Sequence, residues 1–346
     1  MNRKNTIRFS FGTLVLWLLF AAAWLGRFAS SVPPRRGDFW TAAAMSLPLA
    51  VALNAAALIV CVLRRRWMQG LLPLMALVVN LGYLSAVFSL PHFGPEDKRC
   101  GIRIMTLNAH GFVRPGPPCE TARAVARLAE EERIDVLCMQ EADVSPDCPA
   151  DTLAALFAGR MPYFEREGGL AVASRFPVTD RHGFFLSETN NGYMRTDLLV
   201  RGDTLRLLTV HLQTTGISSL LARRRETDGA RAEGREVWAS LLRNSRIRAQ
   251  QADSLVREIE ASPYPVLLAG DFNDMPSSYV YRRMGRALTD GFRAVGEGSG
   301  ATFRDLGGML RIDYVFHDDR FAAVRYRTLD EEVSDHKAVV ADLIVL

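Results

Sequence analysis

Three long stretches near the start of the chain carry no Asp, Glu, Lys or Arg: Phe9–Gly26, Phe39–Leu63 and Trp67–Pro95. A hydrocarbon core needs roughly 20 apolar residues of helix to cross it. Each stretch therefore predicts a transmembrane helix, with about three spans near 9–26, 39–63 and 67–93. Trp40 and Trp67 stand at the starts of two of them, where interfacial aromatic rings belong. Pro48 and Pro73 are costly in a soluble helix but tolerated in a membrane one. The first stretch has a second reading, because basic Met1–Arg8 before an apolar core has the form of a signal peptide. Arg27 stands where a small residue should precede cleavage, which disfavours it.

From Cys100 onward the pattern changes to short apolar runs alternating with amphipathic stretches. Strands are predicted at Ile102–Leu107, Ile134–Gln140, Leu170–Ser174, Leu205–Val210, Pro265–Ala269, Arg311–Phe316 and Ala338–Val345. Helices are predicted over Glu120–Arg133, with Val125, Leu128 and Ala129 on one face, and over about Ser245–Ala261. The chain thus divides into a membrane region, 1–99, and one α/β domain, 100–346.

Charge follows the same division. Residues 1–99 hold eleven Lys or Arg against three Asp or Glu, whereas the remainder holds 31 against 35. A mildly acidic domain is a poor electrostatic match for nucleic acid, whose non-specific binding runs on basic side chains. Its main basic feature is Thr214–Arg248, with eight Arg against four acidic residues. This reads as an exposed insertion, either a solvated surface or a contact for substrate or lipid headgroups. The bias of Lys and Arg in the short loops, led by Arg64–Arg65–Arg66, favours an N-terminus inside the cell. That orientation expects a plasma-membrane protein with its α/β domain outside the cytoplasm.

Polar residues recur immediately after the apolar strands. Asn108, Glu141, His211 and the Asp271-Phe272-Asn273 group each follow one; Asp313 lies inside another, and Asp335-His336 precedes the last. Strand ends of an α/β sheet project to a shared rim where ligands bind. Hard divalent cations take oxygen ligands, usually carboxylates plus substrate phosphate. Phosphoester hydrolysis needs an activated water and neutralised phosphoryl charge, which this set of carboxylates, amides and imidazoles is able to supply.

These segments resemble the motif set of the endonuclease/exonuclease/phosphatase superfamily, the pancreatic-DNase-like fold. The resemblance rests on Thr106-Leu107-Asn108, Met139-Gln140-Glu141, Val210-His211-Leu212, Gly270-Asp271-Phe272-Asn273, Arg311-Ile312-Asp313-Tyr314-Val315 and Ser334-Asp335-His336. It implies a four-layered α/β/β/α sandwich and dependence on Mg²⁺ or Mn²⁺. It further implies Glu141 as metal ligand, with Asn108 and Asp335 beside it, and Asp335-His336 as the base pair next to the attacking water. Asp271 would orient that water, Asn273 steady the transition state, and His211 contact the scissile phosphate. Asp313 would hold His211 or assist the leaving group. Tyr193 or Arg195, in Asn190–Arg195, would contact phosphate. The Trp-bearing and Cys-Asp-Arg signatures of the inositol-polyphosphate 5-phosphatases are absent.

Cys119 and Cys148 fall at the same end of the predicted sheet and are candidates for a disulfide, with two free thiols as the alternative. The expected activity is hydrolysis of a phosphodiester or phosphomonoester by an enzyme held in the lipid bilayer. A lipid headgroup, a small phosphate and nucleic acid are its candidate substrates. An endo- or exonuclease, or a non-catalytic membrane scaffold that keeps the fold, are the alternatives.

Overall fold

The computed structural model describes residues 11–90, 101–185, 191–216 and 230–346. Asn190, the Arg223–Arg224–Arg225 run, Cys100 and the outer ends of the first and third expected spans lie outside the described residues. Contacts divide the chain into two units. One is Met1–Ser85 with Ser277–Tyr279; the other is Ala86–Pro276 with Val280–Leu346.

The first unit is helical. Phe11–Ala29 is long and apolar enough to cross a membrane. The other two expected spans are each a bent pair of helices, Asp38–Met45 with Leu47–Leu63 at 41°, and Trp67–Val79 with Leu81–Val87 at 62°. The first break falls at Ser46, just before Pro48 near the start of the following helix, where the ring has no amide to donate. The second falls at Asn80, whose side chain donates back to the Ala76 carbonyl at 2.9 Å. Small residues let the helices approach: Ala23, Ala50 and Ala76 form one buried contact. Asn54 crosses between helices to the Leu19 carbonyl at 2.9 Å. The opposite faces, including Leu14, Leu18, Ile59, Leu74 and Val78, are exposed.

The second unit opens with a short strand, β1 (Phe88–Ser89), and then builds two six-stranded sheets. Its further strands are β2 (Ile102–Asn108), β3 (Val136–Gln140), β4 (Tyr163–Glu167), β5 (Leu170–Ser174), β6 (Val178–Phe185), β7 (Gly192–Val200) and β8 (Asp203–His211). They continue with β9 (Val266–Asp271), β10 (Thr289–Asp290), β11 (Gly298–Ser299), β12 (Asp313–His317), β13 (Phe321–Leu329) and β14 (Ala338–Val345). One sheet has the order β13-β14-β2-β3-β5-β4, the other β10-β12-β9-β8-β7-β6. Only β2 with β3 and β8 with β9 run parallel within these sheets, so each sheet has one parallel pair near its centre.

Alternation along the strands decides the layers. In β2, Ile102 and Ile104 face the other sheet, while Met105 and Leu107 face the helices Pro118–Glu131 and Ala150–Phe157. In β9, Leu267 and Ala269 enter the same inter-sheet core, while Val266 and Leu268 pack on the long helix Ala230–Glu260 and on Tyr279–Ala287. The layers are therefore helix, sheet, sheet, helix, as the sequence resemblance implied. All seven expected strands are present. The edge strands β4, β6 and β13 escape the hydrophobic pattern because they are half-exposed or exposed. Cys119 and Cys148 are neighbours and both are free thiols, so of the two readings open for the pair the structure has the thiols and not the disulfide.

Candidate active site

The two parallel strand pairs end at one rim. Register places Asn108 opposite Gln140, one residue before Glu141, and places His211 opposite Asp271. The antiparallel partner β12 sets Asp313 opposite Asp271 from the other side. Gly270 makes this approach possible: at φ +150°, a Cβ there would lie 2.0 Å from the Val210 carbonyl oxygen. The rim thus gathers side chains from both sheets at a point where each backbone leaves regular pairing.

Asp271 is the hub. Its Oδ2 accepts from Asn108 Nδ2 at 3.0 Å and from Asn273 Nδ2 at 3.2 Å, and its Oδ1 accepts the Asn273 amide at 2.7 Å. Asn108 Nδ2 also donates to Glu141 Oε1 at 3.0 Å, so one amide bridges carboxylates from the two sheets. Burial, followed by the charge of Asp313, raises the Asp271 pKa to about 6 against the opposing pull of His336, His211 and Asn108. Two buried carboxylates this close repel as anions, which is the arrangement a cation relieves.

His336 is held by Asp313. Its Nδ1 lies 2.9 and 3.1 Å from the two Asp313 oxygens, and its Nε2 lies 3.9 Å from Asp271 Oδ2. Burial on its own would lower the His336 pKa, but the charges of Asp313 and Asp271 and the Asp313 hydrogen bond outweigh it and lift the value to about 10. Thr302 fixes the pair from behind, its Oγ1 accepting the amides of Ile312 and Asp313 at 3.1 Å. The Phe303 ring packs edge-on against His336 at 5.0 Å.

Here the geometry corrects two expected pairings. Asp313 serves His336 and not His211, and Asp335 is not the partner of His336. Consecutive residues leading into a strand point apart, so Asp335 turns toward His110 while His336 turns inward. Asp335 Oδ1 accepts from Ser334, whose hydroxyl is 2.6 Å from the Asn108 carbonyl oxygen and 3.1 Å from Asp335. Asp335 Oδ2 is 3.4 Å from His110 Nδ1.

His211 takes a different partner, Asn191, whose Nδ2 is 3.3 Å from His211 Nδ1. An amide donating to Nδ1 leaves the proton on Nε2. That Nε2 is buried with no hydrogen-bond partner among the described residues and faces Glu141 Oε1 at 3.6 Å and Asp271 Oδ2 at 3.7 Å. Asn191 was within the stretch singled out for phosphate contact, but the residues chosen from it do not reach the rim. Tyr193 and Arg195 pair with Val210 and Leu208, further down β8. Tyr193 is buried against Phe184 with its hydroxyl 3.5 Å from Ser254, and Arg195 is bound to Asp180 at 2.8 Å and Glu258 at 3.1 Å. Both point at the layer of the long helix, away from Asp271.

The residues fit a divalent cation. Asp271, Asp313 and His336 offer ligand atoms all within 4.8 Å of one another. Glu141 adds a carboxylate across Asn108, and the orphaned His211 Nε2 is a donor waiting for an oxygen. Backbone strain marks the same place: Glu141, His110 and Asn273 have φ of +47°, +47° and +50°, a conformation that persists where surroundings enforce it and that clusters at functional sites.

Comparison with known proteins bears on the fold. A crystal structure of an endonuclease/exonuclease/phosphatase from Beutenbergia cavernae is 23% identical and superposes with a TM-score of 0.54, covering 71% of this chain and 72% of that one. A family protein from Leptotrichia buccalis gives 16% identity and 0.52 over 70% of this chain and 99% of its own. A functionally unknown protein from Enterococcus faecalis gives 16% and 0.51 over 71% and 100%. These likenesses show the fold. Among curated proteins no match is found. The model of the Endonuclease/Exonuclease/phosphatase family matches residues 105–336, a stretch that holds every rim residue described above, and the chain belongs to that family.

Proposed function

We propose that the chain is a membrane-anchored, divalent-metal-dependent phosphoric ester hydrolase. The observation that carries this reading is the buried, partnerless His211 Nε2, aimed into a space bounded by the carboxylates of Glu141 and Asp271. A buried donor without an acceptor costs roughly 1–3 kcal/mol, and a phosphate oxygen in that space removes the cost. Glu141, Asn108 and Asp335 would hold the cation, Mg²⁺ or Mn²⁺, with Asp271 at its edge; when bound, it neutralises phosphoryl charge and polarises the ester. His336 Nε2 would take the proton of the attacking water only after shedding its own, which it keeps to about 10 without the cation; Asp313 holds Nδ1–H and stabilises the imidazolium that re-forms. Asp271 orients the water. The Asn273 amide donates its two hydrogens to Asp271 and to the Leu212 carbonyl at 3.1 Å, and would steady the developing charge by exchanging one of these bonds.

The membrane part of the proposal is three spans, with each bent pair counting as one, a cytoplasmic N-terminus and a catalytic domain outside the plasma membrane. Its support is the apolar helix Phe11–Ala29, the composition of the two bent pairs and the exposed apolar faces of the helical unit. A phosphoester carried by a bilayer lipid suits an acidic domain tethered to that bilayer better than a polyanion does. Hydrolysis of bis-p-nitrophenyl phosphate, plasmid DNA and phospholipid vesicles, each with Mg²⁺ or Mn²⁺, tests the assignment. We expect turnover of the diester and the vesicles, and little on DNA. A folded chain inert toward all three contradicts the hydrolase reading, and activity confined to DNA replaces the lipid substrate with nucleic acid.

A further inference from the structure

Among the described residues, His110 is the imidazole at the rim without a place in this scheme. It follows Asn108 by two residues, in the turn His110–Phe112 that leaves β2. Its left-handed φ is strained for a non-glycine residue, so something must hold it there. The His110 amide donates to Asn108 Oδ1 at 3.0 Å, and the next amide, of Gly111, donates to the Glu141 carbonyl at 2.9 Å. Glu141 is itself left-handed. The two strained residues follow neighbouring parallel strands and are tied through the Gly111 amide, and their side chains approach one another.

His110 Nδ1 lies 3.4 Å from Asp335 Oδ2 and 3.8 Å from Glu141 Oε2. Both separations exceed a charge-assisted N–H···O bond, about 2.7–2.9 Å. They are near the roughly 3 Å that separates adjacent ligands of an ion with bonds of about 2.1 Å. The other oxygen of each carboxylate is already engaged, Asp335 Oδ1 by Ser334 and Glu141 Oε1 by Asn108. Each carboxylate therefore turns its remaining oxygen toward the same imidazole nitrogen. The His110 side chain is 43% exposed, which leaves the outer side open to water and substrate oxygens.

Building on the metal-dependent reading above, we infer that His110 is a nitrogen ligand of the cation held by Glu141 and Asp335. It biases that position toward a first-row transition ion over Mg²⁺. Mg²⁺ binds through oxygen and dehydrates reluctantly, whereas imidazole favours the later first-row ions. A chain using only oxygen donors here would need an Asp or Asn in this left-handed turn, where both are tolerated; a His gives up that ease for a nitrogen.

Co²⁺ titration of the full chain in detergent, followed by displacement with Mg²⁺, reads the preference without reference to turnover. Asn and Asp keep the turn, so His110→Asn and His110→Asp preserve the fold. We expect His110→Asn to weaken Co²⁺ binding by about tenfold or more and to shift the visible Co²⁺ bands, with Mg²⁺ affinity changing far less. His110→Asp, which restores an oxygen donor, should turn the ratio toward Mg²⁺. An unchanged Co²⁺-to-Mg²⁺ ratio and spectrum in both variants overturns the assignment of His110 and leaves the hydrolase reading standing. Failure of the folded wild-type chain to bind any divalent cation overturns both.

Discussion

His336 sits between two opposed influences, a buried position that disfavours charge and two carboxylates that demand it. The carboxylates win, which fixes how metal-free stability responds to pH. An unfolded histidine titrates near about 6.5, while folded His336 keeps its proton to about 10. The stabilisation is complete below the lower value and is lost as pH rises through the upper one. With chelator present, the thermal midpoint of the wild type should fall more steeply between these limits than that of His336→Gln; parallel slopes would contradict the pairing. Gly270 gives a second residue-scale test. A methyl at this position would sit 2.0 Å from the Val210 carbonyl oxygen, so Gly270→Ala should lose roughly 1–3 kcal/mol or more in urea unfolding. A neutral substitution would show that β8 and β9 are less closely apposed. The sequence made the rim residues legible because a polar group directly after an apolar strand is conspicuous. It did not make their partners legible. Which carboxylate meets His336 depends on the antiparallel register of β12 on β9, and Asn191 reaches His211 only through the pairing of β7 with β8.

Elements carry a different lesson, seen where the helical region meets the α/β fold. The change in hydropathy points to Cys100, but folding contacts begin earlier. Ala86 is fully buried in the helix-side core, β1 pairs with β11, and the Ala86 carbonyl accepts from Arg311 Nη1 at 2.9 Å. Arg311 is 1% exposed and otherwise bound to Asp290 at 2.6 Å. Removing Ala86 leaves a buried charged donor without its acceptor, a loss of about 1–3 kcal/mol or more. A chain beginning at Gly101 should therefore unfold at lower denaturant than one beginning at Ala86, and equal midpoints would remove β1 and Ala86 from the folding unit. Central strands were readable because both faces are apolar. Helix Ala230–Glu260 extends well before its expected start because Gly234 and the many Arg and Glu residues around it read as an exposed loop.

At the scale of the molecule, composition and topology describe a basic, apolar N-terminal region followed by an acidic α/β unit. If the helices hold the chain in a bilayer, high salt and carbonate washes should leave it in the membrane fraction and detergent should release it; release by carbonate alone would contradict anchoring. Protease added outside intact cells should cut the catalytic unit, and full protection would reverse the proposed orientation. The four layers were implied by the family resemblance, and the shared rim was legible because six strand ends pointed to one chemistry. The substrate was not, since the loops beyond the strand ends carry no periodicity to read. The most direct test of the account is hydrolysis of bis-p-nitrophenyl phosphate by the full chain, with divalent cation or chelator, beside His336→Ala and Asp271→Ala. The account predicts turnover only with the cation and a loss of about 10²-fold or more in each folded variant. Cation-independent turnover, or a near-normal rate in either variant, would contradict it.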